Sequence, residues 1–68
     1  MKRDKARDDM FFSCQADHEL NYVAGLYDDP KEIREFLREK CKYGTIKYLT
    51  HAVVYKLIEN DLGYKIPE

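Results

Sequence analysis

Along the chain, apolar residues recur at helical spacing in three places. Ala16, Leu20, Val23, Ala24 and Tyr27 follow one another at steps of 4, 3, 1 and 3, which is one face of an α-helix. Ser13 stands ahead of them as a residue able to cap the free N–H groups of a first turn. Asp17 and Glu19 sit near the same end, where the helix dipole favours them. A helix beginning at Ser13 is predicted, with Gly25 weakening it by about 1 kcal/mol relative to alanine. The second pattern is sharper. Asp28-Asp29-Pro30-Lys31-Glu32 offers Asp29 as N-cap, proline as the first helical residue and Glu32 as the reciprocal partner of the cap. Ile33, Phe36, Leu37 and Cys41 then form the inward stripe, and Gly44 stops the helix as a left-handed C-cap. Lys31–Glu35, Glu35–Arg38 and Glu39–Lys42 pair along its outer face, each worth tenths of a kcal/mol.

The third helix is predicted over His51–Leu62. Thr50 caps it, Val53, Val54, Leu57, Ile58 and Leu62 face inward, and Gly63 ends it. Residues 45–49 fit a strand, a turn or a helix equally, because their β-branched side chains leave the period open. Tyr64 and Ile66 follow as a tail able to cover the core. At the other end, residues 1–9 are mostly charged and lack apolar periodicity, so they read as a flexible arm. Met10, Phe11 and Phe12 form an apolar plug that folds back onto the core. The expected fold is all-α: a compact three-helix domain over 10–68 behind a flexible charged N-terminal arm over 1–9.

Composition narrows the class. Of 68 residues, 44% are apolar and 37% charged, with a net charge of −1, unlike a disordered chain. No apolar run is long enough to span a membrane. The basic start has no apolar region behind it, so no secretory signal is read and a cytoplasmic domain is expected. A chain this short also has little room for the roughly 300–1,000 Å³ pocket of a catalytic or cofactor site. No enzyme and no cofactor are expected.

The near-zero charge conceals segregation. Residues 1–7 sum to +3, residues 8–30 to −6, residues 31–56 to +4 and residues 57–68 to −2. Either the acidic and basic segments face each other in the fold, or a basic face is offered to an anionic partner.

Four constellations bear on chemistry. Cys14, His18, Cys41 and His51 are the chain's only cysteines and histidines and make a zinc set conceivable, but the nine residues between Cys41 and His51 exceed the usual ligand gaps. One disulfide between Cys14 and Cys41 is the other option; in a cytosolic setting the thiols would stay reduced. Cys14 near a helix N-terminus, with His18 one turn on, has the form of a Cys–His nucleophile. The acidic segment around it opposes a thiolate.

The third constellation is the basic–aromatic segment 40–56, with Lys40, Lys42, Lys47 and Lys56 among Tyr43, Tyr48 and Tyr55. Within it, Leu49-Thr50-His51-Ala52-Val53-Val54-Tyr55-Lys56-Leu57-Ile58 and Leu62-Gly63-Tyr64-Lys65-Ile66 resemble the recognition helix of winged-helix repressors. That resemblance implies nucleic acid as partner, with Thr50, His51, Tyr55 and Lys56 toward base edges or phosphates. The fourth is the tyrosine content itself. Six tyrosines and three phenylalanines exceed what so small a core buries, and tyrosine is favoured at protein interfaces. The expected function is therefore binding of another protein, or of a second copy, through Tyr43, Lys47, Tyr48, His51, Tyr55 and Lys56, with nucleic acid as the alternative partner and a zinc-stabilised domain as the second alternative. No membrane partner is expected.

Overall fold

The computed structural model describes residues 3–68. A 3-10 turn at Lys5–Arg7 precedes three helices: α1 Asp17–Leu26, α2 Lys31–Lys42 and α3 His51–Leu62. Among the described residues the one β-type pairing is an antiparallel bridge between Phe11 and Thr50. The fold is the all-α three-helix domain that the periodicity indicates.

The helix boundaries show where local chemistry wins. α1 begins at Asp17, with Ala16 rather than Ser13 at its N-cap. Ala16 precedes it in an extended conformation with no side-chain cap, and residues 13–16 form a turn closed by Ala16 N–H donating to the Ser13 carbonyl at 3.2 Å. The cause lies outside the segment: Cys14 is joined to Cys41 by a disulfide, which fixes this turn against the end of α2. α1 ends in a Schellman arrangement. Asp29 N–H donates to the Ala24 carbonyl at 2.7 Å and Asp28 N–H to the Gly25 carbonyl at 3.2 Å. Asp28 takes the left-handed position with φ +66°, and Asp29 follows at +57°. Aspartate tolerates that region better than most side chains do.

This use of Asp29 removes the expected capping box of α2. Pro30 stands at the N-cap with no side-chain cap. The Asp29 carboxylate instead accepts from Arg34 Nε, while Arg34 Nη2 donates to Asn21 Oδ1 at 2.8 Å. Glu32 turns to the C-terminal tail and accepts from the Tyr64 hydroxyl at 2.9 Å. The corner between α1 and α2 is thus clamped by side chains from both helices. α2 closes on Gly44 (φ +73°) with a second Schellman pair, Thr45 N–H to the Lys40 carbonyl and Gly44 N–H to the Cys41 carbonyl, both at 3.0 Å. α3 has the expected Thr50 cap and left-handed Gly63 end.

Val23, Ala24, Ile33, Leu37, Ile46, Val54 and Ile58 are fully buried. Six come from the helices. Ile46 comes from the 43–48 segment, which is a run of turns rather than a strand or helix. α3 is rotated from its expected face: His51, Val54, Tyr55 and Ile58 point inward, while Val53 is exposed. His51 and Tyr55 carry polar atoms, and their polarity misleads the pattern. His51 is nonetheless satisfied. Its Nδ1 donates to the Met10 carbonyl at 2.7 Å, and its Nε2 lies 3.1 Å from Glu19 Oε2, tying α3 to α1 and to residue 10.

The charged segment read as a flexible arm contains ordered contacts from residue 3 onward. Arg3 N–H donates to the Glu68 carbonyl at 2.8 Å, and Ala52 N–H donates to the Asp8 carbonyl at 3.2 Å. The Arg7 guanidinium lies 4.4 Å above the Tyr22 ring and 3.6 Å from Glu19. Of the apolar plug, Phe12 enters the core, while Met10 and Phe11 stay exposed.

The segregated charges partly cancel. Asp8, Glu19 and Asp29 of the acidic segment pair with Arg3, Arg7 and Arg34 respectively. These are mostly half-exposed pairs worth at most about 1 kcal/mol each. Among the described residues, Lys5, Arg38, Lys42, Lys47, Lys56 and Lys65 have no carboxylate within 4 Å.

Candidate functional site

The disulfide organises one surface. Cys14 and Cys41 have Cα atoms 5.7 Å apart, in the ordinary disulfide range. The bond joins the 13–16 turn to the last turn of α2. Between them and the 43–48 turns lies a groove of about 500 Å³, lined by Phe11, Phe12, Ser13, Cys14, Gln15, Cys41, Lys42, Gly44, Lys47 and Tyr48. The sequence reading left little room for a recess of this size. The 13–16 turn, tied to the last turn of α2 by the disulfide, forms one side of it.

The groove is aromatic and cationic. Phe11 and Tyr48 are 67% and 73% exposed, and both line it. Lys47 Nζ lies 5.2 Å from the Tyr48 ring centroid, and Lys42 Nζ lies 5.9 Å from that of the neighbouring Tyr43, within cation–π reach. The two charged lining residues are both lysines; the lining contains no aspartate, glutamate or histidine. It therefore holds no carboxylate or imidazole for general acid–base work.

Backbone geometry sets the position of Tyr48. The turns close through Lys47 N–H to the Gly44 carbonyl at 3.3 Å and Leu49 N–H to the Ile46 carbonyl at 3.4 Å. Tyr48 occupies the left-handed region at φ +67°, a place where a bulky side chain costs about 1–2 kcal/mol. Burial of Ile46 on one side of the turn and exposure of Tyr48 on the other are two outcomes of the same geometry.

The expected partner-binding residues divide. Tyr43, Lys47 and Tyr48 are exposed together at this end of the molecule. His51 and Tyr55 are each 1% exposed and are core residues, which removes them from any partner-facing set. Lys56 is exposed on α3 but does not line the groove. The same burial answers the winged-helix resemblance: two of the four residues it would aim at nucleic acid face the interior. The zinc set is also dispersed. The two sulfurs are bonded to each other, His51 is engaged by Met10 and Glu19, and His18 is exposed. Cys14, as a disulfide sulfur, is no free nucleophile.

Phe11, Phe12, Ser13 and Gln15 are lining residues that the sequence placed in no candidate site. Phe11 had a signal: it sits beside Phe12 in an apolar triplet too large for one small core to absorb.

Together, fold and groove define a three-helix domain stapled by one disulfide, with an aromatic, positively charged recess beside the staple. The chain matches no family model, no curated protein and no solved structure. No helix among the described residues is long and apolar enough to cross a membrane.

Proposed function

We propose that this protein is a small, non-catalytic binding module that engages another protein through the groove between Phe11 and Tyr48. The observation that carries the reading is the presence of these two exposed rings in the lining of one recess. Apolar side chains this large and this exposed, grouped at a concave place, are the usual mark of an interaction site. Tyr43 and Met10, also exposed, extend the apolar surface on either side along the chain. The bonded Cys14 and Cys41 support an oxidising compartment in place of the reducing cytoplasm suggested by composition.

The test is selection of a displayed random-peptide library on the oxidised protein. Enriched peptides whose binding falls at least tenfold in Phe11→Ser and in Tyr48→Ser support the reading, since truncating central aromatic anchors typically costs more than about 1.4 kcal/mol. Peptides insensitive to both substitutions, or a failure to enrich any, would overturn it. Sedimentation over a concentration series distinguishes a second copy of the chain as the occupant. A fluorescent single-stranded oligonucleotide tests the nucleic-acid alternative, for which affinity falls steeply with salt.

A further inference from the structure

We infer that the groove's partner is an acidic peptide segment carrying an apolar or aromatic anchor. This rests on the binding reading above and goes beyond it by specifying the partner's chemistry. The argument is one of complementarity. The floor and walls supply rings and sulfur from Phe11, Phe12, Tyr48 and the Cys14–Cys41 bond, which suit an apolar side chain. Lys42 and Lys47 stand at this surface as the only charges among its lining residues, each within cation–π distance of a tyrosine ring.

Elsewhere the molecule matches some of its cations internally, while Lys5, Arg38, Lys56 and Lys65, also without a carboxylate within 4 Å among the described residues, lie outside the groove's lining. Arg3, Arg7, Arg34 and Lys40 each have a carboxylate within 4 Å, and Lys31 pairs with Glu35 along α2. Lys42 and Lys47 have no such neighbour among the described residues. Two uncompensated cations flanking an apolar recess favour carboxylates on either side of an anchor and repel a basic segment. A nucleic acid would meet the same two charges. The whole chain carries a net charge of −1, however, with no excess of positive charge to follow a phosphate backbone, so two lysines in the groove are a small footprint for it.

The test uses three synthetic twelve-residue peptides with the same central Phe and Leu anchors, flanked by four Glu, four Gln or four Lys. Affinity for the oxidised protein is measured by fluorescence anisotropy at low salt. The Glu peptide is expected to bind about tenfold tighter than the Gln peptide, with the Lys peptide weakest, as for two screened charge contacts. In Lys42→Gln/Lys47→Gln the preference disappears, and in Lys42→Glu/Lys47→Glu it inverts toward the Lys peptide. Both pairs are surface changes, and unchanged circular dichroism confirms folding. Equal affinity for all three peptides, with sensitivity to Tyr48→Ser, would overturn the acidic specificity while leaving the groove as a binding site. Binding of none of them, together with an unproductive library, would overturn both readings. Tighter, groove-dependent binding of an oligonucleotide than of the Glu peptide would replace the inferred partner with nucleic acid.

Discussion

Tyr48 joins local strain to the proposed binding surface. It holds a left-handed backbone while most of its ring meets solvent, so the folded chain gains little from the ring and bears the conformational cost. Tyr48→Gly is predicted to raise stability by about 1 kcal/mol while abolishing groove binding, as read by chemical denaturation and peptide affinity. A loss of stability would mean that the ring is held by contacts stronger than its exposure suggests. Tyr27 and Tyr55 have the opposite setting. Burial pushes the Tyr27 hydroxyl up to about 12 and that of Tyr55 higher still. Because the folded state holds these protons above the unfolded value of 10, their contribution is intact below pH 10 and declines as pH rises from 10 toward 12. Thermal scans should show melting temperature falling across that window, with part of the tyrosinate absorbance appearing only on unfolding. Full tyrosinate formation in a still-folded protein would contradict this. The sequence did not place Tyr55 inside, because a polar tip on a helix face reads as solvent-facing. Only tertiary packing shows that α3 turns it and His51 inward.

At the scale of elements, the apolar stripes of Leu20/Val23 and Ile33/Leu37 were legible, as were Thr50, Gly44 and Gly63 at helix ends, since each depends on neighbours within one or two turns. The start of α1 and the Asp29–Glu32 capping box were not. In both, a long-range partner outbids the local one: Cys41 for Cys14, and Arg34 and Tyr64 for the two carboxylates. Residues 45–49 were ambiguous for the same reason, as the form of the 43–48 turns is set by Ile46 reaching the core. Ile46→Ala is accordingly predicted to cost roughly 2–5 kcal/mol, the range for a buried Ile or Leu truncation, despite its place in a loop. A cost below 0.5 kcal/mol in a denaturant melt would show that the turn collapses freely and that Ile46 does not anchor the 43–48 turns to the core.

Across the whole molecule, the disulfide links stability to the site. Chain of this length buries a modest share of its surface, and a bond between residues 27 apart contributes roughly 3–4 kcal/mol by restricting the unfolded state. Cys14→Ser/Cys41→Ser, or the wild type under dithiothreitol, should show that loss in denaturant midpoint; an unchanged midpoint would mean the helices suffice. The two cysteines were visible in the sequence, but their pairing was not, since composition argued for a reducing setting and the spacing of 27 has no motif. Charge was half legible: the segregation is real, and internal pairing resolves it only in part, leaving Lys42 and Lys47 as the unpaired charges of the groove lining. The most direct measurement of the central claim is a nitrogen-15 NMR titration of the oxidised protein with the Glu-flanked peptide. Amide shifts should concentrate at residues 11–15 and 41–48, with the outer face of α3 around Lys56 and Glu59 unmoved. Shifts centred on α3, or no shifts at saturating peptide, would contradict it.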